Sequence, residues 1–139
     1  MIKFSVKNNI LLILACLFVF SACASGINIS EELSPAELIQ RAQEASDKNR
    51  YKTALHYYRA LHERNQTIMD LVITAEYEIA FIHYKQKKYQ QSRKELNAVL
   101  EYYSKPDAEL LPQQFKRLSE IVLKKIDDKE KPLSSKKKK

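Results

Sequence analysis

The chain has 139 residues, with 24 lysines and arginines against 17 aspartates and glutamates, for a formal charge of +7. Two lysines at the amino end and six in residues 129–139 supply that excess, so residues 24–128 carry sixteen charges of each sign. A neutral domain of this size excludes a basic nucleic-acid binder and leaves room for one modest core. The single glycine, Gly26, argues against a β-rich fold, whose tight turns need glycine.

Lys3 and Lys7 precede an apolar run over residues 10–20, and small residues and a cysteine follow at Ser21-Ala22-Cys23. Eleven apolar residues are too few to span a bilayer, so residues 1–22 read as a secretory signal. Phe20-Ser21-Ala22-Cys23 resembles the lipobox of bacterial lipoproteins, although Phe20 stands where the pattern has an aliphatic residue. The resemblance implies cleavage before Cys23 and acylation of its thiol and new amino terminus. Cys16 offers a competing site, but leaves only residues 10–15 as apolar core, below the usual length of about seven or more. With Cys23 lipidated and the signal removed, no thiol remains for a disulfide, and stability rests on packing. Residues 23–33 then form the lipidated cysteine and its tether.

The domain is expected over residues 34–128. Ser34 as N-cap, Pro35 at the first helical position, Glu37 completing a capping box and a Leu33–Leu38 staple mark one helix start. The cap is worth about 1 kcal/mol. This first helix runs to Lys48 and turns Leu38, Ile39, Ala42 and Ala45 inward. A second places Tyr51, Ala54, Leu55, Tyr58, Leu61 and His62 on one face. A third, over residues 68–86, is apolar around much of its circumference and must have neighbours on more than one side. A fourth buries Tyr89, Leu96, Val99, Leu100 and Tyr103. Residues 107–111 form a separate turn ahead of Pro112. A fifth helix runs over residues 112–127, with Phe115, Leu118, Val122 and Ile126 inward. Residues 129–139 are expected to be a disordered polylysine tail, with too few apolar groups to pack.

Asn49-Arg50-Tyr51-Lys52-Thr53-Ala54 corresponds to Lys87-Lys88-Tyr89-Gln90-Gln91-Ser92 at an offset of 38 residues. The unit resembles a tetratricopeptide repeat: Ala42 and Ala80 are the small residues of the first helix, Tyr51 and Tyr89 open the second, and Ala54 and Ser92 mark the close crossing. Asn49 and Lys87 replace the family's usual glycine, and Leu38 and Glu76 its tryptophan. The fold expected is all-α, with two helical hairpin repeats and a capping helix.

No enzyme is expected. His56 and His62 are six apart, which is not a same-face metal spacing, and His62 and His83 read as packing residues. Glu31-Glu32 and Asp127-Asp128 read as solvated edge charges. No metal, cofactor or small-molecule substrate is implied. Tyr77, Phe81 and Tyr84, at i, i+4 and i+7, stand out as a partner-binding groove. In the repeat family such positions face the concave surface, with Thr74, Ile39, Gln43 and Ser46 beside them. The alternative is that the fifth helix covers these rings and they are core.

The lipobox, the short tether and helix-pair repeats over residues 36–103 together resemble the BamD-like outer-membrane assembly lipoproteins, of which this chain is a shorter version. That resemblance implies a lipid anchor on the periplasmic side of the outer membrane, favoured by Ala24 after the cysteine. Its implied partners are the barrel assembly subunit and unfolded outer-membrane proteins. An envelope adaptor for other periplasmic or cell-wall proteins is the alternative function, and the outer leaflet of the cell membrane the alternative location.

Overall fold

The computed structural model describes residues 29–131. Cys16, Cys23 and residues 132–139 of the tail lie outside that range. Among the described residues five α-helices follow one another: α1 (Pro35–Asp47), α2 (Tyr51–Arg64), α3 (Met69–Lys85), α4 (Tyr89–Tyr102) and α5 (Gln113–Glu130), with a 3-10 turn at Ala108–Leu110 before the last. They pack as tetratricopeptide-like hairpins, α1 on α2 and α3 on α4, with α2 against α3 and α5 closing on α3 and α4.

The start of α1 is fixed by its cap. The Glu37 amide donates to Ser34 Oγ at 3.3 Å, and the Ser34 amide donates to Glu37 Oε2 at 2.9 Å. The Ser34 side-chain bond holds the Glu37 carboxyl below its usual range, as expected of a carboxylate that accepts hydrogen bonds. Leu33 packs on the cluster that contains Leu38. Upstream, Arg64 at the end of α2 donates to the carbonyls of Ser30 at 3.0 Å and Ile29 at 3.2 Å, which fastens the entering chain.

The two hairpins repeat in backbone detail. Asn49 and Lys87 adopt φ of 55° and 62°. The Arg50 amide donates to the Ala45 carbonyl and the Asn49 amide to Ser46; 38 residues on, Lys88 donates to His83 and Lys87 to Tyr84. Both turns are thus Schellman caps with a side chain where glycine is preferred. Asn49 also accepts from the Tyr51 hydroxyl at 2.6 Å. Lys87 has no such local bond, and left-handed geometry costs a non-glycine residue about 1–2 kcal/mol. Lys87→Gly should therefore stabilise the fold by about 0.5–1 kcal/mol, after glycine's larger unfolded-state entropy is subtracted. Denaturant titration checks this; an unchanged or lower midpoint counts against it.

The close crossings also match. Ala42, Ala54, Ala80 and Ser92 are all fully buried. Ser92 fits where the first hairpin has alanine because its hydroxyl donates to the Ala80 carbonyl at 2.8 Å, which satisfies the polar atom. Helix α3 serves two clusters. Ala75 and Ile82 join the first, around Tyr58 and Leu61, while Ile73, Tyr77 and Ala80 join the second, with Leu96, Val99, Phe115, Val122 and Ile126. Its apolar circumference reflects this double seat.

Helix α5 departs from expectation in two ways. Its buried stripe is Phe115, Ser119, Val122 and Ile126, while Leu118 is 39% exposed. The small Ser119 takes the tight position, and the bulkier Leu118 is turned aside. The helix also continues to Glu130. Arg93 Nη2 meets Asp127 Oδ1 at 2.7 Å and Glu130 Oε2 at 2.8 Å, and Gln90 donates to Glu130 at 2.8 Å. Asp127 is thus a solvent-exposed charge that also pairs with Arg93, and residues 129–131 are not free tail. Arg93→Ala should lower stability by at most about 1 kcal/mol, since the network is half exposed. That loss should shrink in high salt. A loss that is unchanged in 0.5 M salt (about one-half molar, where the Debye length is near 4 Å) would argue against an ionic origin.

Candidate partner-binding face

Tyr77, Phe81 and Tyr84 follow the helical spacing of α3 and form a ladder. Ring centroids of Tyr77 and Phe81 are 5.9 Å apart with planes 11° from parallel, and those of Phe81 and Tyr84 are 6.0 Å apart at 13°. The ladder extends at both ends. Tyr77 meets Phe115 of α5 at 5.2 Å, and Tyr84 meets Tyr89 of α4 at 5.9 Å. Aromatic pairs in this range each contribute about 0.5–1.5 kcal/mol beyond burial, so the row is stiff.

The three expected groove residues do not share one environment. Tyr77 is only 4% exposed and belongs to the second core cluster. Its place in an accessible groove is therefore corrected: Phe115 covers it, as the fifth helix was able to do. Burial pushes its hydroxyl up to about 12, with the charge of Glu78 adding to the effect. Phe81 and Tyr84 remain half-buried, as does Tyr89, and these three present ring surface to solvent.

Sequence reasoning missed Lys85. Its ammonium sits 5.1 Å from the Phe81 ring centroid and 5.6 Å from that of Tyr51. It donates to Ser46 Oγ at 2.6 Å. Lys85 thereby bridges the hairpins and joins the ladder to Tyr51. Its spacing from Phe81, i to i+4, was a signal available in the sequence. Ser46, expected to line the groove, is 7% exposed and occupied by this bond. Thr74 Oγ1 donates to the Asp70 carbonyl, Gln43 is exposed, and Ile39 packs on the first cluster. Burial raises the half-buried Glu78 carboxyl, a shift that Lys85 opposes and Asp47 reinforces.

Two of the histidines, His62 and His83, are engaged in polar contacts. His83, 3% exposed, lies with Nδ1 2.6 Å from Glu95 Oε2. Nε2 of His62 lies 3.1 Å from Glu76 Oε1, which also accepts from the Tyr102 hydroxyl at 3.2 Å. Among the described residues no cluster of three or more histidine, cysteine or acidic groups is placed to hold a metal. No helix among them is long and apolar enough to cross a membrane.

An uncharacterized protein of Treponema pallidum (strain Nichols) is similar to this chain. Identity is 33% over 112 residues, covering 78% of this chain and 45% of that protein. The chain thus spans less than half the length of this relative. No family model matches it, and no solved structure does.

Proposed function

We propose that the chain is a lipid-anchored adaptor of the cell envelope that binds segments of protein partners along the ladder of α3, in the service of outer-membrane β-barrel assembly. The observation that carries the binding part is the half-buried Phe81–Tyr84–Tyr89 row, held rigid by its ring contacts and by the buried Tyr77 and the Lys85 ammonium, both of which meet Phe81. Aromatic rings already fixed in place bind at low entropic cost and can anchor an extended or helical segment. The lipid anchor is supported by Phe20-Ser21-Ala22-Cys23. The assembly role is supported by the resemblance of the lipobox and hairpin pattern to the BamD-like lipoproteins.

The test pairs anchoring with partner capture. Cys23→Ala should abolish fatty-acid labelling and release the protein from membranes. If labelling survives in Cys23→Ala and is lost in Cys16→Ala, the anchor belongs to Cys16. A photocrosslinking residue at position 84, introduced into the otherwise intact protein, should capture a barrel assembly subunit or an unfolded outer-membrane protein. Capture of peptidoglycan enzymes instead would move the reading to a cell-wall adaptor.

A further inference from the structure

The side of α3 away from Phe81 and Lys85 carries Glu76 and Ile79. There the two hairpins leave a cleft of about 460 Å³ between α2, α3 and α4, within the usual range of ligand pockets, about 300–1,000 Å³. Its apolar surface comes from Ile79, Ala98 and Tyr102. Four carboxylates line it, Glu63, Glu76, Glu95 and Glu101, against two full cations, Arg59 and Lys105. The domain as a whole is neutral, so this acidity is local.

The carboxylates are not equivalent. Glu76 is engaged by His62 and Tyr102, and Glu95 by His83 and Gln91. These bonds fix the cleft's wall. Glu63 and Glu101 carry no hydrogen bond or ion pair among the described residues. One wall already shows how a cation is received: the Lys105 ammonium stands 4.9 Å from the Tyr102 ring centroid. Lys105 belongs to the exposed turn after α4, so it can be displaced without disturbing the core. A second cavity, about 430 Å³ between α1 and α2, mixes acidic and basic groups almost evenly and selects no occupant.

We infer that the cleft between the hairpins docks an arginine or lysine side chain from a segment of a partner protein. The aliphatic stem lies on Ile79 and Ala98, and the cationic head reaches the Tyr102 ring and the Glu63 and Glu101 carboxylates. Long basic side chains suit such a site because they bury their stems and keep the charge among polar groups. This docking does not depend on the aromatic ladder, which occupies the opposite side of α3.

The test uses the full chain and a fluorescein-labelled peptide, Ser-Leu-Arg-Arg-Leu-Ser, with Ser-Leu-Glu-Glu-Leu-Ser as its twin. Anisotropy should detect the basic peptide and not the acidic one. The double variant Glu63→Gln/Glu101→Gln should weaken binding at least tenfold. Ala98→Phe should do the same by filling the cleft without changing charge, with helicity checked by circular dichroism. Lys105→Ser should tighten binding. Equal binding of both peptides would overturn the inference. So would full affinity in a folded Ala98→Phe variant, because that would reduce the effect to general surface attraction.

Discussion

Tyr58→Ala is expected to destabilise the domain by about 3–5 kcal/mol, the range for deleting a large buried ring, and to lower its melting temperature by about 12 °C or more. Tyr58 is fully buried in the first cluster, among Leu38, Ala42, Ala54, Leu55 and Leu61. Among the described residues it is the largest of the fully buried side chains. Its hydroxyl has no hydrogen-bond partner among the described residues. Burial pushes its pKa well up, and the nearby Glu78 and Asp47 push it further. The ring stabilises, while the hydroxyl costs free energy by staying unpaired. Tyr58→Phe should therefore be neutral or more stable by up to about 1–2 kcal/mol. The contrast between the two variants, read by thermal and denaturant unfolding, is the check. A Tyr58→Phe variant less stable than the parent by over about 1 kcal/mol would mean that the hydroxyl is satisfied.

The second large effect is expected in binding. Phe81→Ala and Tyr84→Ala should each weaken capture of the partner by about 2 kcal/mol or more, which is over tenfold in affinity. Both rings are half-buried and pack against the margin of the second cluster rather than within it, so the variants should stay folded. Tyr77→Ala should instead lower stability, because Tyr77 lies in the core against Phe115. Lys85→Met should weaken binding less than the ring deletions, since it keeps the apolar stem and removes the charge over Phe81 and Tyr51 together with the hydrogen bond to Ser46. Retained helicity with unchanged affinity in both Phe81→Ala and Tyr84→Ala would remove the ladder as a binding surface.

Much of the fold could be read from the sequence because its signals are local. The Ser34–Glu37 box, the breaks at Asn49 and Lys87, and the 38-residue echo of Ala54 in Ser92 depend on neighbours within one or two turns. The misreadings came where a distant element decides the outcome. Spacing puts Tyr77, Phe81 and Tyr84 on one stripe, but only the position of α5 sets which ring is covered. Hydropathy favours Leu118 over Ser119, yet a close approach of helices selects the smaller residue. Tyr51 and Tyr89 stand on the inward stripes of α2 and α4, where truncating a ring that is buried costs roughly 3 kcal/mol or more. Both are half-buried, and Tyr58 takes that role. The Lys85 bridge needed the seam between hairpins to be known, because its partners Tyr51 and Ser46 are more than thirty residues away.

The grip of Arg64 on the carbonyls of Ile29 and Ser30 has a mechanical consequence. A pull applied to the chain ahead of residue 29 meets this clamp before it reaches Pro35. The load passes to the end of α2, beside the turn into α3, rather than to the first turn of α1. Force directed along α2 would shear the helices of the first hairpin past each other, whereas force on α1 alone would peel it off one turn at a time. Shear strains many side-chain contacts together and so resists more strongly. Arg64→Ala would shift the point of loading to Ser34 and its cap, and single-molecule extension from the amino end should then show the first hairpin opening at lower force.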